Sequence, residues 1–154
     1  MKRVFLPAIL FSVILAGCQN SNQGPALRGP VGGGLSQNKA LKDSANFTTI
    51  QWLDSTYRDL GKVTDGDQVE VTYRFRNTGN KPLIIAQVSA SCGCTIPETP
   101  QEPFAPGAEG LIKARFNSSG RVGTNNKEIY VMANTTPSTL NQLEFTIQVQ
   151  AKDR

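Results

Sequence analysis

The sequence has 154 residues with 16 Lys and Arg against 12 Asp and Glu, a formal net charge of +4. The basic residues are scattered and form no dense run, which argues against nucleic acid as a partner, and with no histidine the commonest general base and zinc ligand are both missing. With 38% apolar residues and three cysteines, the chain has room for one small domain and a tail, held by a packed core rather than a dense disulfide framework.

Lys2 and Arg3 give a positive start, followed by an apolar run from Val4 to Leu15 that is interrupted only by Pro7 and Ser12. The run is too short to span a bilayer as a permanent helix, and it ends in small residues, so residues 1–17 read as a cleavable leader. Leu15-Ala16-Gly17-Cys18 resembles the lipobox of bacterial lipoproteins at all four positions. The alternative is an ordinary secretory leader followed by a chance cysteine. The resemblance implies cleavage before Cys18 and diacylglyceration of its thiol. Losing Lys2 and Arg3 would halve the surplus of positive charge. Each buried acyl methylene contributes about 0.8 kcal/mol, so two or three chains make a practically permanent anchor. Cys18 is then closed to disulfides and metals. No aspartate follows it directly, and Gln19-Asn20-Ser21-Asn22 begins no acidic run. By resemblance to lipoprotein sorting rules, the expected location is the cell envelope, at the periplasmic leaflet of the outer membrane.

Residues 19 to about 45 are rich in Gln, Asn, Gly, Ser and Pro, with Gly32-Gly33-Gly34 as a flexible run. Such a composition buries too little apolar surface to fold alone, so residues 18–45 read as a lipidated, disordered tether. As a coil it would reach about 30 Å from the membrane.

From Phe47 the apolar period becomes two. Thr48, Ile50 and Trp52 share a face, with Trp52 as a candidate core residue. Val69 to Arg76 alternates strictly, as do Ile112 to Phe116, Glu128 to Ala133 and Leu143 to Ala151. These are strands with one buried and one wet face. In Leu83 to Val88 the phase breaks, and a bulge near Ala86 or Gln87, or a strand that changes sheet, would repair it. Turn signals at Asp65-Gly66, Asn77 to Asn80, Pro106-Gly107, Asn117 to Gly120 and Thr136 to Ser138 separate the runs. No segment has helical periodicity. The expectation is an all-β, Ig-like antiparallel β-sandwich of about seven strands over residues 46–154, behind the flexible tether, with a small barrel as the alternative.

Several motifs in order, Tyr73-Arg74-Phe75-Arg76-Asn77-Thr78-Gly79, Pro82-Leu83, Ser91-Cys92-Gly93-Cys94-Thr95 with Pro97, and Pro106-Gly107 ahead of an I-x-A-x-F strand, resemble the bacterial domain-of-unknown-function family 1573. Leu60 to Val63 with Asp65-Gly66 matches its opening segment. The resemblance covers nearly all of the folded part. It implies an Ig-like sandwich akin to Hydin and major-sperm-protein modules, lipid-anchored or secreted, and carries no activity with it.

Cys92 and Cys94 form the one chemical constellation of the domain, where the third predicted strand runs into a Pro-rich loop, Ile96 to Pro106. In an extended segment residues two apart face the same way, so both sulfurs could converge, and Gly93 permits a tight turn between them. Four readings stay open: a disulfide, favoured by an oxidising compartment although the ring would be small and strained on a flat strand; a pair of buried thiols; capture of a soft ion such as Cu(I); and pairing with another chain. Zinc wants four ligands, and this pair offers two.

The remaining signals are weaker. Asn46, Asn117 and Asn134 begin N-glycosylation patterns, most simply chance in polar loops. Asp43-Ser44-Ala45 and Asp54-Ser55-Thr56 resemble an O-glycosylation triplet of Bacteroidota. Glu98, Glu102 and Glu109 lie in or near the long loop, where a solvated surface is the simplest reading, ahead of an acid pair or a calcium site. No phosphate-binding glycine loop and no G-x-S-x-G elbow is present. The sequence thus points to a non-enzymatic, membrane-anchored module, with no cofactor, that meets an envelope protein or glycan through loops 77–82, 91–107 and 117–125. The alternatives are a thiol-redox or soft-metal protein using Cys92 and Cys94, and an enzyme using carboxylates alone.

Overall fold

The structure, a computed structural model, describes residues 39–152. The leader, Cys18 and most of the tether lie outside the described residues. Among these residues the chain forms a short 3-10 turn, Ser44–Asn46, and eight strands: β1 (Ile50–Trp52), β2 (Tyr57–Thr64), β3 (Gln68–Asn77), β4 (Ile85–Ala90), β5 (Thr95–Glu98), β6 (Glu109–Asn117), β7 (Gly123–Ala133) and β8 (Leu140–Gln150). They make two sheets in the orders β1-β3-β6-β5 and β2-β8-β7-β4. No helix among the described residues is long and apolar enough to cross a membrane.

The strands that alternate strictly in the sequence supply the core. Val71, Tyr73 and Phe75 of β3 and Ile112, Ala114 and Phe116 of β6 face Ile129, Val131 and Ala133 of β7 and Leu143, Phe145, Ile147 and Val149 of β8. Each fully buried Val, Leu, Ile or Phe contributes about 1.5–3 kcal/mol. Phe116 and Phe145 meet edge to face across the sheets at 5.8 Å, and Phe75 does the same with Phe104 at 4.9 Å. Trp52 is half-buried at the rim of this core, edge-on to Phe75 at 5.8 Å. Gly110 stands opposite Phe75 because a Cβ there would lie 2.4 Å from both the Phe75 and Phe104 rings.

Eight strands replace the expected seven or so because the chain changes sheet after β1. Ile50–Trp52 pairs antiparallel with β3, and after Leu53–Thr56 the next strand pairs parallel with β8, Tyr57 opposite Glu144. β2 is invisible to a period-two search: its register breaks between Asp59 and Lys62, where Gly61 sits at φ +72°. β5 corrects the reading of Ile96 to Pro106 as loop. It is an edge strand paired with β6 alone, where Pro97 is tolerated because only one side of the strand must hydrogen-bond. In β4 the register against β7 shifts between Ile85 and Gln87, so a bulge at Ala86 returns Val88 to the core, as the phase break predicted.

Two buried asparagines fasten one end of the sandwich. Asn77 accepts from the Thr48 hydroxyl (2.8 Å) and donates to the carbonyls of Lys81 (2.8 Å) and Phe104 (2.9 Å). Asn134 accepts from the Ile84 N–H at 2.7 Å and donates to the carbonyls of Asn46 (2.7 Å) and Pro82 (3.0 Å). The segment ahead of β1 is thereby tied to the domain, and Ala40 in it is buried.

Tyr73 supplies one polar link through the core. Its hydroxyl donates to the Glu144 carbonyl of the facing sheet at 2.7 Å. Burial pushes its pKa up from 10.0 to about 12, because the phenolate would lose water. The folded chain holds this proton more tightly than the unfolded one, so the associated stability is present below pH 10 and is lost as pH rises towards 12. Tyr73→Phe is expected to cost about 1 kcal/mol at neutral pH through the lost hydrogen bond. It should also lose less stability than the parent between pH 10 and 12, measured by urea melts on the fluorescence of the single tryptophan.

Candidate functional site

Cys18 lies outside the described residues. The two other predicted site residues are joined: Cys92 Sγ and Cys94 Sγ are bonded, with Cα atoms 5.3 Å apart. That separation is ordinary for a disulfide. The segment is not a flat strand but the turn that Gly93 permits. It follows the fourth strand, not the third, and turns, with the Thr95 N–H donating to the Cys92 carbonyl at 3.3 Å. Cys94 is buried with the core and Cys92 packs against its edge. The pair therefore sits where the chain passes from β4 in one sheet to β5 in the other, and its position is that of a core staple.

The three loop glutamates do not converge on a site. Glu98 pairs with Arg115 at 3.7 Å, and Glu109 pairs with Arg76. Among the described residues no group of three or more His, Cys, Asp or Glu side chains could hold a metal ion. The 91–107 segment is less free than a contact loop, since Leu83 and Phe104 exchange backbone hydrogen bonds at 2.8 Å in both directions. Asn134, the start of one N-glycosylation pattern, is buried and fully used by the fold.

The outer faces of the two sheets differ in chemistry. On β1-β3-β6-β5 the wet positions are mostly charged, including Glu70, Arg74, Arg76, Lys113 and Arg115. On β2-β8-β7-β4 they are mostly amides and hydroxyls, including Asn126, Tyr130, Gln142, Thr146 and Gln148. Thr146 donates to Asn126 at 2.7 Å, and Thr124 donates to Gln148 at 2.7 Å.

At one end of this second face lies a cleft of about 490 Å³, bounded by Tyr57, Ser91, Asn126, Lys127, Glu128 and Glu144 and reaching the buried Phe145. Its walls come from three adjoining strands and the end of β4. Glu128 and Glu144 are directly opposite on β7 and β8, and Tyr57 is opposite Glu144 on β2. Facing carboxylates repel across a sheet. Gln142 bridges them, its amide nitrogen 3.2 Å from Glu128 and 2.9 Å from Glu144. The Tyr130 hydroxyl also donates to Glu128, and this bond to a carboxylate raises the Tyr130 pKa.

The chain crossing ahead of β2 holds Tyr57 in place. Asp54 accepts from the Arg74 backbone N–H and from its guanidinium, each at 2.8 Å. These bonds hold the Asp54 carboxyl near pKa 2, below its usual 3.8. The Glu144 N–H then donates to the Thr56 carbonyl at 2.7 Å, which sets Tyr57 beside Glu144 with half of its surface exposed. Sequence reasoning missed this cleft because β2 carries no alternating signal. The one legible hint is that the wet positions of β7 and β8 are mostly Asn, Thr and Gln, with no Lys or Arg.

The family described as "Protein of unknown function (DUF1573)" matches residues 50–149. No curated protein matches the sequence. Among solved structures the fold is similar to a protein of unknown function from Porphyromonas gingivalis, with a TM-score of 0.60 at 18% identity, covering 69% of this chain and 49% of that one. The chain thus spans about half the length of that protein. It is also similar to the PapD-like domain 7 of human CEP192, with a TM-score of 0.53 at 12% identity, covering 71% of this chain and 89% of that domain. At these identities the likeness shows the Ig-like, PapD-like sandwich alone. The family match, spanning β1 to β8, and the two-sheet architecture agree, and the chain belongs to the DUF1573 family.

Proposed function

We propose that the protein is a lipid-anchored, non-catalytic interaction module of the bacterial cell envelope. Acylated Cys18 holds it at the periplasmic face of the outer membrane, and the sandwich engages an envelope protein or glycan. The observation that carries this reading is Leu15-Ala16-Gly17-Cys18 behind a basic start and a short apolar run. An Ig-like sandwich with an open, charge-poor sheet face suits recognition at a surface.

The test is metabolic labelling with an alkyne fatty acid, with mass measurement of the N-terminal peptide. The expected result is an acylated Cys18 at the mature N-terminus, and a Cys18→Ser chain that takes up no label and leaves the membrane fraction. A Cys18→Ser chain that stays labelled and membrane-bound overturns the anchor. Crosslinking in intact envelopes then tests the interaction, and the absence of any reproducible protein or glycan adduct counts against it.

A further inference from the structure

The cleft beside Tyr57 has polar walls that mix acceptors and donors, the carboxylates of Glu128 and Glu144 beside the amide of Asn126 and the hydroxyl of Ser91. We infer that it binds a short neutral glycan, with Tyr57 against the apolar face of one sugar ring and Glu144, Asn126 and Ser91 taking its hydroxyls. This assignment deepens the interaction reading above and rests on it.

Unused hydrogen-bonding capacity in the cleft is both donor and acceptor. Gln142 occupies one oxygen of Glu144, and the other makes no hydrogen bond among the described residues. The Asn126 carbonyl oxygen accepts from Thr146 at 2.7 Å, which leaves both hydrogens of its amide free to donate. Ser91 Oγ accepts from the Glu128 N–H at 3.2 Å and keeps its own O–H to give. A sugar hydroxyl donates and accepts at once, so it satisfies all three. The exposed Tyr57 ring adds an apolar surface with a polar tip, suited to a ligand that has one apolar face and a wet rim.

Competing ligand classes fit less well. A phosphate, sulfate or uronate would meet the paired carboxylates of Glu128 and Glu144. A divalent cation lacks a third carboxylate, and a cationic side chain would leave the Asn126 and Ser91 donors without acceptors while both oxygens of Glu128 are already taken by Tyr130 and Gln142. A cleft of about 490 Å³ has room for a short saccharide and lies within the span of about 300–1,000 Å³ usual for small-ligand sites. The walls are also held ready: strand pairing fixes Tyr57 beside Glu144, and Gln142 fixes the two carboxylates. Preorganisation of this kind lowers the entropy lost on binding.

The experiment uses the lipidated chain in a zwitterionic detergent free of sugar headgroups. It is titrated by calorimetry with neutral, uronate-containing and sulfated oligosaccharides, and with a lysine-rich peptide. The expected result is saturable binding of a neutral oligosaccharide, weakened at least about tenfold by Tyr57→Ala and by Glu144→Gln. Arg115→Ala, on the opposite sheet, should leave the affinity unchanged. Thermal melts check that each variant remains folded. Binding of no neutral oligosaccharide overturns the assignment. So does binding that survives the combined Tyr57→Ala and Glu144→Gln change, or a preference for the acidic sugars or the peptide. A chain that keeps its lipid and crosslinks to an envelope protein yet binds no saccharide sinks this inference and leaves the interaction reading standing.

Discussion

Asn134→Ala is expected to lower the unfolding free energy by about 2–4 kcal/mol, seen as a reduced urea midpoint at an unchanged slope. Asn134 follows the last residue of β7, where the ladder with β4 would otherwise stop. Its backbone N–H donates to the Ile84 carbonyl at 3.2 Å, and its side-chain oxygen accepts from the Ile84 N–H at 2.7 Å. One residue thus reproduces both bonds of an antiparallel pair. Its amide hydrogens reach the carbonyls of Asn46 and Pro82, so three segments converge on a group that is 1% exposed. Alanine leaves one donor and two acceptors without these partners, and each unsatisfied group costs about 1–3 kcal/mol where water cannot replace the partner. Asn134→Asp separates the roles: it keeps the acceptor for Ile84 and loses both donors. It should also bring a buried charge, so its deficit should shrink as pH falls and the carboxyl protonates.

Phe116→Ala is expected to cost about 3–5 kcal/mol, the range for removing a large aromatic ring from a packed core. Phe116 is fully buried and joins the sheets through its edge-on contact with Phe145 at 5.8 Å. It lies opposite Val69 on β3 and Thr95 on β5, so the void would open among strands of one sheet and against the other. Phe116→Leu should cost clearly less, because much of the volume is kept. Both values follow from urea melts on Trp52 fluorescence, and Trp52 meets Phe75 edge-on rather than Phe116, so the probe itself is undisturbed. A deficit below about 1 kcal/mol for the alanine variant would mean that the sandwich closes over the void, contrary to the close packing of the Phe116–Phe145 layer.

The cysteine pair shows how far residue spacing reaches. Two cysteines one residue apart permit a bond, but on an extended strand their side chains stand too far apart for easy closure. The turn at Cys92–Thr95 brings the Cα atoms to 5.3 Å. Gly93 permits that turn in the sequence, but the need for it, the passage of the chain from β4 to the opposite sheet, is announced by no local pattern. The same holds for Asn77 and Asn134. In the sequence one marks a turn and the other begins a glycosylation pattern, whereas in the fold they bond groups up to 29 and 88 residues away.

The sequence by itself determined the all-β class, the inward residues of β3, β6, β7 and β8, and the bulge that returns Val88 to the core. These are local facts, since a half-buried strand writes its two faces in alternation. Only the tertiary structure decided the rest. Edge strands β2 and β5 owe their conformation to β8 and β6, and with them come the position of Tyr57 and the cleft it borders. A pairing partner distant in sequence leaves no period in the strand it recruits, so the candidate site came into view with the sheets and not before.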